Sequence, residues 1–204
     1  MIQIGIVGER VGPQDYDSDM QRAKALGIDA FALNIGVDPY TDTQLAFAYQ
    51  SAANNGMKVF ISFDFNWWNP SSQATQIGQM IAKYAALPAQ LYFEGKAFAS
   101  SFAGDQLDIA ALRAGAGIPI FFAPNFHPEM GTNFGTIDGA LNWLVSTHSS
   151  PFKANLIFFR DGPMMEITRH LLLIITSPLK PVMRLISKHS LESPISHVCI
   201  HSLI

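Results

Sequence analysis

Cysteine is almost missing from this chain: Cys199 stands alone among 204 residues, so no internal disulfide can form and no cysteine-based zinc site has its ligands. Charge is sparse as well. Asp, Glu, Lys and Arg make up 14% of the residues, the net charge is −3 and no Lys/Arg run occurs, which excludes the basic footprint of a nucleic-acid or anionic-membrane partner. Long apolar runs are lacking; the best candidate, Leu171-Leu172-Leu173-Ile174-Ile175, falls far short of the roughly 20 residues of a membrane span. The start, Met1-Ile2-Gln3-Ile4-Gly5-Ile6-Val7, has neither a basic stretch nor a long apolar one, so no secretory signal is expected in this chain. A dinucleotide fingerprint is missing too, since Gly5-Ile6-Val7-Gly8 has no third glycine and opens no helix. Without a Ser or Cys nucleophile signature or a cluster of metal ligands, neither acyl transfer nor metal hydrolysis is expected, and no cofactor or metal is implied.

What is present is an apolar fraction of 49%, enough to bury a core. Short apolar runs alternate with amphipathic segments of helical period up to about Trp143, the pattern of repeated strand–helix units. Strands are expected at 2–7, 30–34, 58–64, 96–102 and 119–123, with 90–93 as a hairpin arm joined to the fourth by Glu94-Gly95. Helices are expected at 16–26, 41–54, 69–85, 105–114 and 137–145. The second reads as opening on a capping box of Thr41 and Gln44 and closing at Asn55-Gly56. Five such units fit an open doubly wound sheet or the first part of a (β/α)8 barrel. The barrel is favoured, because polar residues stand after most strands: Glu9 and Arg10, Asn34, Asp64 and Asn66, Asp105, then Asn125 and His127. In a barrel all of them would surround one mouth.

Beyond about His148 the grammar changes. Residues 1–148 hold 14 of the 15 glycines, 7 basic and 13 acidic residues, whereas residues 149–204 hold one glycine, 6 basic and 3 acidic. The expectation is therefore an α/β chain with a partial TIM barrel over 1–148 and a divergent, poorly structured tail over 149–204, with one helix near 164–174. In that tail His197 and His201 flank Cys199 at a spacing found in zinc sites, but no third ligand follows and the Ser/Pro neighbours oppose a helix, so no metal is expected.

One segment carries chemistry. Val59-Phe60-Ile61-Ser62-Phe63-Asp64-Phe65-Asn66-Trp67-Trp68 is an apolar strand ending in a carboxylate, an amide and two indoles. Sugars offer flat C–H faces that pack on aromatic rings and hydroxyls that need fixed polar partners, and these residues supply both. Phe60, Phe63 and Phe65 read as core. Trp67 and Trp68, being neighbours, cannot both face the core, so at least one is expected at the mouth as a sugar platform. Asn34, Asn66, Asn125 and His127 would contact hydroxyls. Asp105 would contact sugar or cap the helix that follows it.

Three segments, Asp19-Met20-Gln21-Arg22-Ala23-Lys24-Ala25-Leu26-Gly27-Ile28-Asp29-Ala30-Phe31-Ala32-Leu33-Asn34, the strand ending at Trp68, and Phe98-Ala99-Ser100-Ser101-Phe102-Ala103-Gly104-Asp105, resemble the fungal α-1,3-glucanases (mutanases) of glycoside hydrolase family 71. Pro119-Ile120-Phe121-Phe122-Ala123-Pro124-Asn125-Phe126 and Asp138-Gly139-Ala140-Leu141-Asn142-Trp143 extend the resemblance over roughly residues 2–145. It implies a secreted, metal-independent, inverting endo-hydrolase of α-1,3-glucan in the fungal cell wall, built on a (β/α)8 barrel. Asp64 falls on an aspartate implicated in activity. The family's other carboxylates lie in a late Trp-Asn-Asp-Tyr-Gly-Glu-Ser-type segment, and no such segment occurs in these 204 residues. Inverting hydrolysis needs two carboxyl groups about 6.5–9.5 Å apart, so half of the pair is missing. Two readings follow: a hydrolase by descent that is truncated and inactive alone, or a non-catalytic glucan-binding remnant, with a gene-model artefact as a further possibility. Five strands of a barrel would leave an open edge, through which self-association is expected.

Overall fold

A computed structural model describes residues 1–126, 130, 134–141 and 156–158. Among them lie four α-helices and a six-stranded mixed sheet. The strands are β1 (Ile2–Gln3), β2 (Ala30–Ile35), β3 (Lys58–Asp64), β4 (Tyr92–Phe93), β5 (Lys96–Phe102) and β6 (Ile120–Asn125). The helices are α1 (Asp17–Ala25), α2 (Thr41–Asn55), α3 (Ala74–Ala85) and α4 (Ile109–Ala116).

Strands β1, β2, β3, β5 and β6 are parallel and neighbour one another in chain order. The order never reverses among the described strands, whereas a doubly wound nucleotide fold requires such a reversal at its switch point. Only β4 runs against this grain. It pairs antiparallel with the start of β5 through a tight turn at Glu94 and Gly95, and the preceding residues Ala89 to Leu91 bond β3 at Val59. Gln90 pins this arm: its amide accepts from the Tyr49 hydroxyl at 2.6 Å and donates to the carbonyls of Leu91 and Phe98 at 2.8 Å each.

The sequence period dictates the two faces of the sheet. Leu33 and Ile35, Val59, Ile61 and Phe63, Ala97 and Ala99, and Ile120 and Phe122 point to the face covered by the helices, where they meet Met20, Leu45, Ala48, Ile77, Ile81 and Leu112. The alternate residues Ala30, Ala32, Phe60, Phe98, Phe121 and Ala123 form a second core on the opposite face, with Met1, Leu91 and Phe93 against it. There Phe98 meets Phe60 edge-on at 4.7 Å and stacks on Phe121 at 5.4 Å.

Several element ends differ from expectation. The first strand gives way after Gln3 to a 3-10 turn at Ile4–Ile6. Helix α2 starts at Thr41 without a capping box, because Gln44 is turned away to accept from Tyr16 (2.7 Å) and to donate to the carbonyls of Gly8 and Arg10. Its C-terminus is as expected, with Gly56 in the left-handed region at φ 65°. Helix α3 begins at Ala74; residues 69–73 form a turn in which Asn69 Oδ1 accepts from the backbone of Ser71 and Ser72. Helix α4 begins at Ile109 and is capped by Asp108, whose Oδ1 accepts from Ala111 N at 2.9 Å, so Asp105 is not its cap. In place of the helix expected at 137–145 stands a strand, β7 (Gly139–Leu141), pairing antiparallel with β8 (Leu156–Phe158). The cause is Asp138. Its backbone N–H donates to Phe122 O at 3.1 Å, while its carboxylate holds Arg113 at 2.6 Å, Lys96 at 2.9 Å and Phe122 N at 3.0 Å, which ties this segment to β5, α4 and β6. The second half of the expected helix, and the helix expected at 164–174, lie outside the described residues.

Helices α3 and α4 cross at a reciprocal pair of glycines. A Cβ on Gly78 would overlap the Leu112 carbonyl oxygen and come within 2.7 Å of Ala116 N; one on Gly115 would overlap the Thr75 carbonyl. Both obstacles are backbone and cannot move aside. In an exposed helix Gly→Ala gains up to about 1 kcal/mol, yet here Gly78→Ala and Gly115→Ala are expected each to lose roughly 2–3 kcal/mol from overpacking, read as a lower urea midpoint. A second expectation concerns Asp138. Burial alone would raise its pKa, but the hydrogen bonds from Arg113, Phe122 N and Lys96 outweigh burial and hold it below the ordinary carboxylate value. A depressed folded-state pKa gives stability that is present above the unfolded value of about 3.9 and is lost as pH falls through the folded value. Asp138→Asn is therefore expected to lower stability by roughly 2 kcal/mol at neutral pH and to flatten its decline below about pH 4. Urea titrations at neutral and acidic pH would check both.

Candidate functional site

The carboxyl ends of the parallel strands lie at one end of the sheet, and Asn34, Asp64, Asn66, Asp105 and Asn125 stand at or just after them. Register fixes their levels. Gln3, Asn34, Ser62, Ser100 and Ala123 are successive partners across β1, β2, β3, β5 and β6. One step further along lie Asp64, Phe102 and Asn125, again partners in line. Asn34 and Asn125 are buried, and Asp64, Phe102 and Asp105 are half-buried.

Asp64 ends β3 and builds the turn that follows. Its Oδ1 accepts from Asn66 N at 3.0 Å, and its carbonyl accepts from the backbone of Trp67 (3.0 Å) and Trp68 (3.1 Å). Among the described residues no Lys, Arg or His pairs with its carboxylate. The turn sends the two indoles opposite ways. Trp68 is 5% exposed, stands edge-on to Phe63 at 5.3 Å and donates Nε1–H to Ile35 O at 3.2 Å, so it is core. Trp67 is 68% exposed beside Gly36, where an added Cβ would lie 3.3 Å from the indole and 3.2 Å from Asp38 Oδ2. Asn66 is also exposed.

The next loop is strained. Ser101 donates to the carbonyl of Ala103 at 2.9 Å, and Ala103 and Gly104 adopt left-handed φ values of 56° and 93° immediately before Asp105. At Gly104 a side chain would also strike the Phe65 ring, so close approach as well as backbone conformation demands glycine there. Backbone N–H of Phe65 bonds Phe102 O at 3.1 Å, which locks this loop to the one carrying Asp64. Such strain concentrates where a site must hold a fixed shape.

One sequence expectation takes another role here. Arg10 pairs with Asp19 at 2.9 Å and lies 4.2 Å over the Tyr16 ring, which makes it a tie between loop and helix α1. His127 lies outside the described residues. Asp38, half-buried beside Trp67, was not singled out from the sequence; Gly36, directly after an apolar strand and two residues before a carboxylate, was the available signal. No cluster of three or more metal-ligating side chains occurs among the described residues, and no helix among them is long and apolar enough to cross a membrane.

Residues 1–151 match the model of glycosyl hydrolase family 71. The chain belongs to that family. Among the relatives of this family 71 chain, a mutanase of Penicillium rubens is 39% identical over 136 residues, covering 65% of this chain and 30% of the relative. A glucan endo-1,3-alpha-glucosidase of Schizosaccharomyces pombe is 35% identical over 146 residues, covering 63% and 34%. An ascus wall endo-1,3-alpha-glucanase of the same yeast is 24% identical over 147 residues. The family 71 chain thus spans about a third of the length of these relatives. No solved structure matches it.

The split between the indoles gives a direct expectation. Trp68→Ala removes a core side chain and should cost about 3–5 kcal/mol, whereas Trp67→Ala should change stability by no more than about 0.5 kcal/mol. Chemical denaturation of the two variants would compare them.

Proposed function

We propose that this chain is an α-1,3-glucan-directed glycoside hydrolase module of a secreted protein, in which the described sheet is the first part of a (β/α)8 barrel and the carboxyl ends of its strands hold the sugar. The reading rests above all on Asp64, a half-buried carboxylate at a strand end with no cationic partner among the described residues, next to the exposed Trp67. Family membership and the names of the relatives support the substrate class. The sequential parallel order, with every described helix packed into one core, supports the barrel.

Within this reading Trp67 packs its indole against a pyranose C–H face, while Asn66, Asp38 and Asp105 take hydroxyls. Asn34 stands one level lower and closes the floor of the site, while Asn125 is buried at the level of Asp64. Asp64 serves one half of the inverting pair, either activating water or protonating the leaving oxygen. No Trp-Asn-Asp-Tyr-Gly-Glu-Ser-type segment, the expected source of the second carboxyl group, occurs in the 204 residues. Hence these residues hold glucan without cleaving it. Trp68 enters this scheme only as the packing that fixes Trp67.

The 204-residue chain is expected to be retained on insoluble α-1,3-glucan and to release no reducing sugar from it. Trp67→Ala should weaken retention about tenfold, the effect of losing about 1.4 kcal/mol, and Asp64→Asn should leave retention within a few-fold. Failure of the folded wild-type chain to bind would refute the substrate assignment. Sugar release abolished by Asp64→Asn would refute the half-site reading and place a complete catalytic pair in these residues.

A further inference from the structure

Three buried side chains on one level of the sheet have polar atoms without partners. Asn34 Nδ2, Ser62 Oγ and Ser100 Oγ are sealed from solvent and lack hydrogen-bond partners among the described residues. Ser62 and Ser100 are fully buried and Asn34 is 6% exposed. They are consecutive partners in the ladder, Asn34 with Ser62 and Ser62 with Ser100, so they point to the same face from three adjacent strands. The level below is apolar, formed by Ala32, Phe60, Phe98 and Phe121 in matching register. The level above carries Asp64, Phe102 and Asn125.

A coincidence of three orphaned groups on one level is costly. Each buried hydroxyl or amide left without a partner lowers the folding equilibrium on the order of tenfold or more. Neighbouring strands stand about 4.8 Å apart, whereas a hydroxyl bond spans about 2.8 Å, so an oxygen atom lying between the strands reaches two of these groups at once. A sugar hydroxyl is an oxygen of that kind. It is excluded by depth, since Ser62 and Ser100 lie one side-chain level beneath Asp64 and have no exposed surface. Water fits, as it both donates and accepts and is held by two to four polar groups in such sites.

We propose that Asn34, Ser62 and Ser100 form an internal water site beneath the mouth, in which one or two ordered waters bridge the amide and the two hydroxyls. Water enters from the β1 side, where Gln3, the next partner on this level, is exposed. The bridged row fixes the lateral spacing of β2, β3 and β5 directly under Asp64 and gives the mouth a hydrogen-bonded floor instead of an apolar one. This inference does not depend on the sugar assignment.

The test uses the 204-residue chain without glucan. A crystal structure should show a water oxygen within about 3.2 Å of at least two of Asn34 Nδ2, Ser62 Oγ and Ser100 Oγ. A dry row, or a protein side chain filling it, overturns the proposal. Unfolding equilibria of Ser62→Ala, Ser100→Ala and the double variant give an independent reading. With the water present, each single change strands it and raises the unfolding constant about tenfold, while the double change raises it by less than the product of the two. If either single change lowers the unfolding constant, the hydroxyls were dry and the proposal falls.

Discussion

The register of the parallel ladder governs nearly everything else in this chain. Because β2, β3, β5 and β6 run the same way with in-line partners, side chains of alternate residues stack in levels, and a residue's number decides which level it occupies. A shift of one residue in β3 would turn Phe60, Ser62 and Asp64 toward the helices and Ile61 and Phe63 away from them, exchanging both cores at once. The aromatic level of Phe60, Phe98 and Phe121 resists that slip, since those rings pack against one another and, through Phe121, against Phe93. Asp64 reaches the end of the sheet because this packing holds it two residues above Ser62.

Cross-chain ties supply what the ladder cannot. Gln44 and Gln90 are both buried amides that accept from a tyrosine hydroxyl and donate to two backbone carbonyls, one gathering the loop after β1 and the other the arm before β5. Each converts an irregular segment into a hydrogen-bonded part of the core, which is how buried polar groups in these places avoid their desolvation cost. Asp138 does the same with charge at the opposite end of the sheet from Asp64.

How much of this was legible in the sequence depends on whether the deciding contact is local. Strands 30–35 and 58–64 were readable because apolar runs bounded by turn residues need little else, and Gly56 closed α2 because a left-handed cap is a property of one residue. The start of α2 was also readable, but for the wrong reason. Gln44 has the spacing of a capping box, and only the distant Tyr16 hydroxyl draws it elsewhere. The strand at Gly139–Leu141 was missed because a helical-looking stretch is overridden by partners at Lys96, Arg113 and Phe122, up to 42 residues away. At the site, Asp64 and Trp67 stood out by type and position. The row of Asn34, Ser62 and Ser100 did not, since serines in an apolar strand gain meaning only when register brings them level.

The division of labour at Asp64 follows from its two oxygens. Oδ1 is committed to Asn66 N, and this bond, with the carbonyl of the same residue, turns the chain so tightly that Trp67 and Trp68 must diverge. Trp68 then anchors the turn by donating its N–H to Ile35 and packing on Phe63, so that Trp67 is held in solvent by a buried neighbour. The residue that would act on a sugar thus also builds the platform on which the sugar would rest. An amide at position 64 keeps an acceptor for Asn66 N while removing the charge, whereas an alanine would remove both. Loss of function on Asp64→Ala would therefore mix a broken turn with a lost carboxylate, and the asparagine variant separates the two.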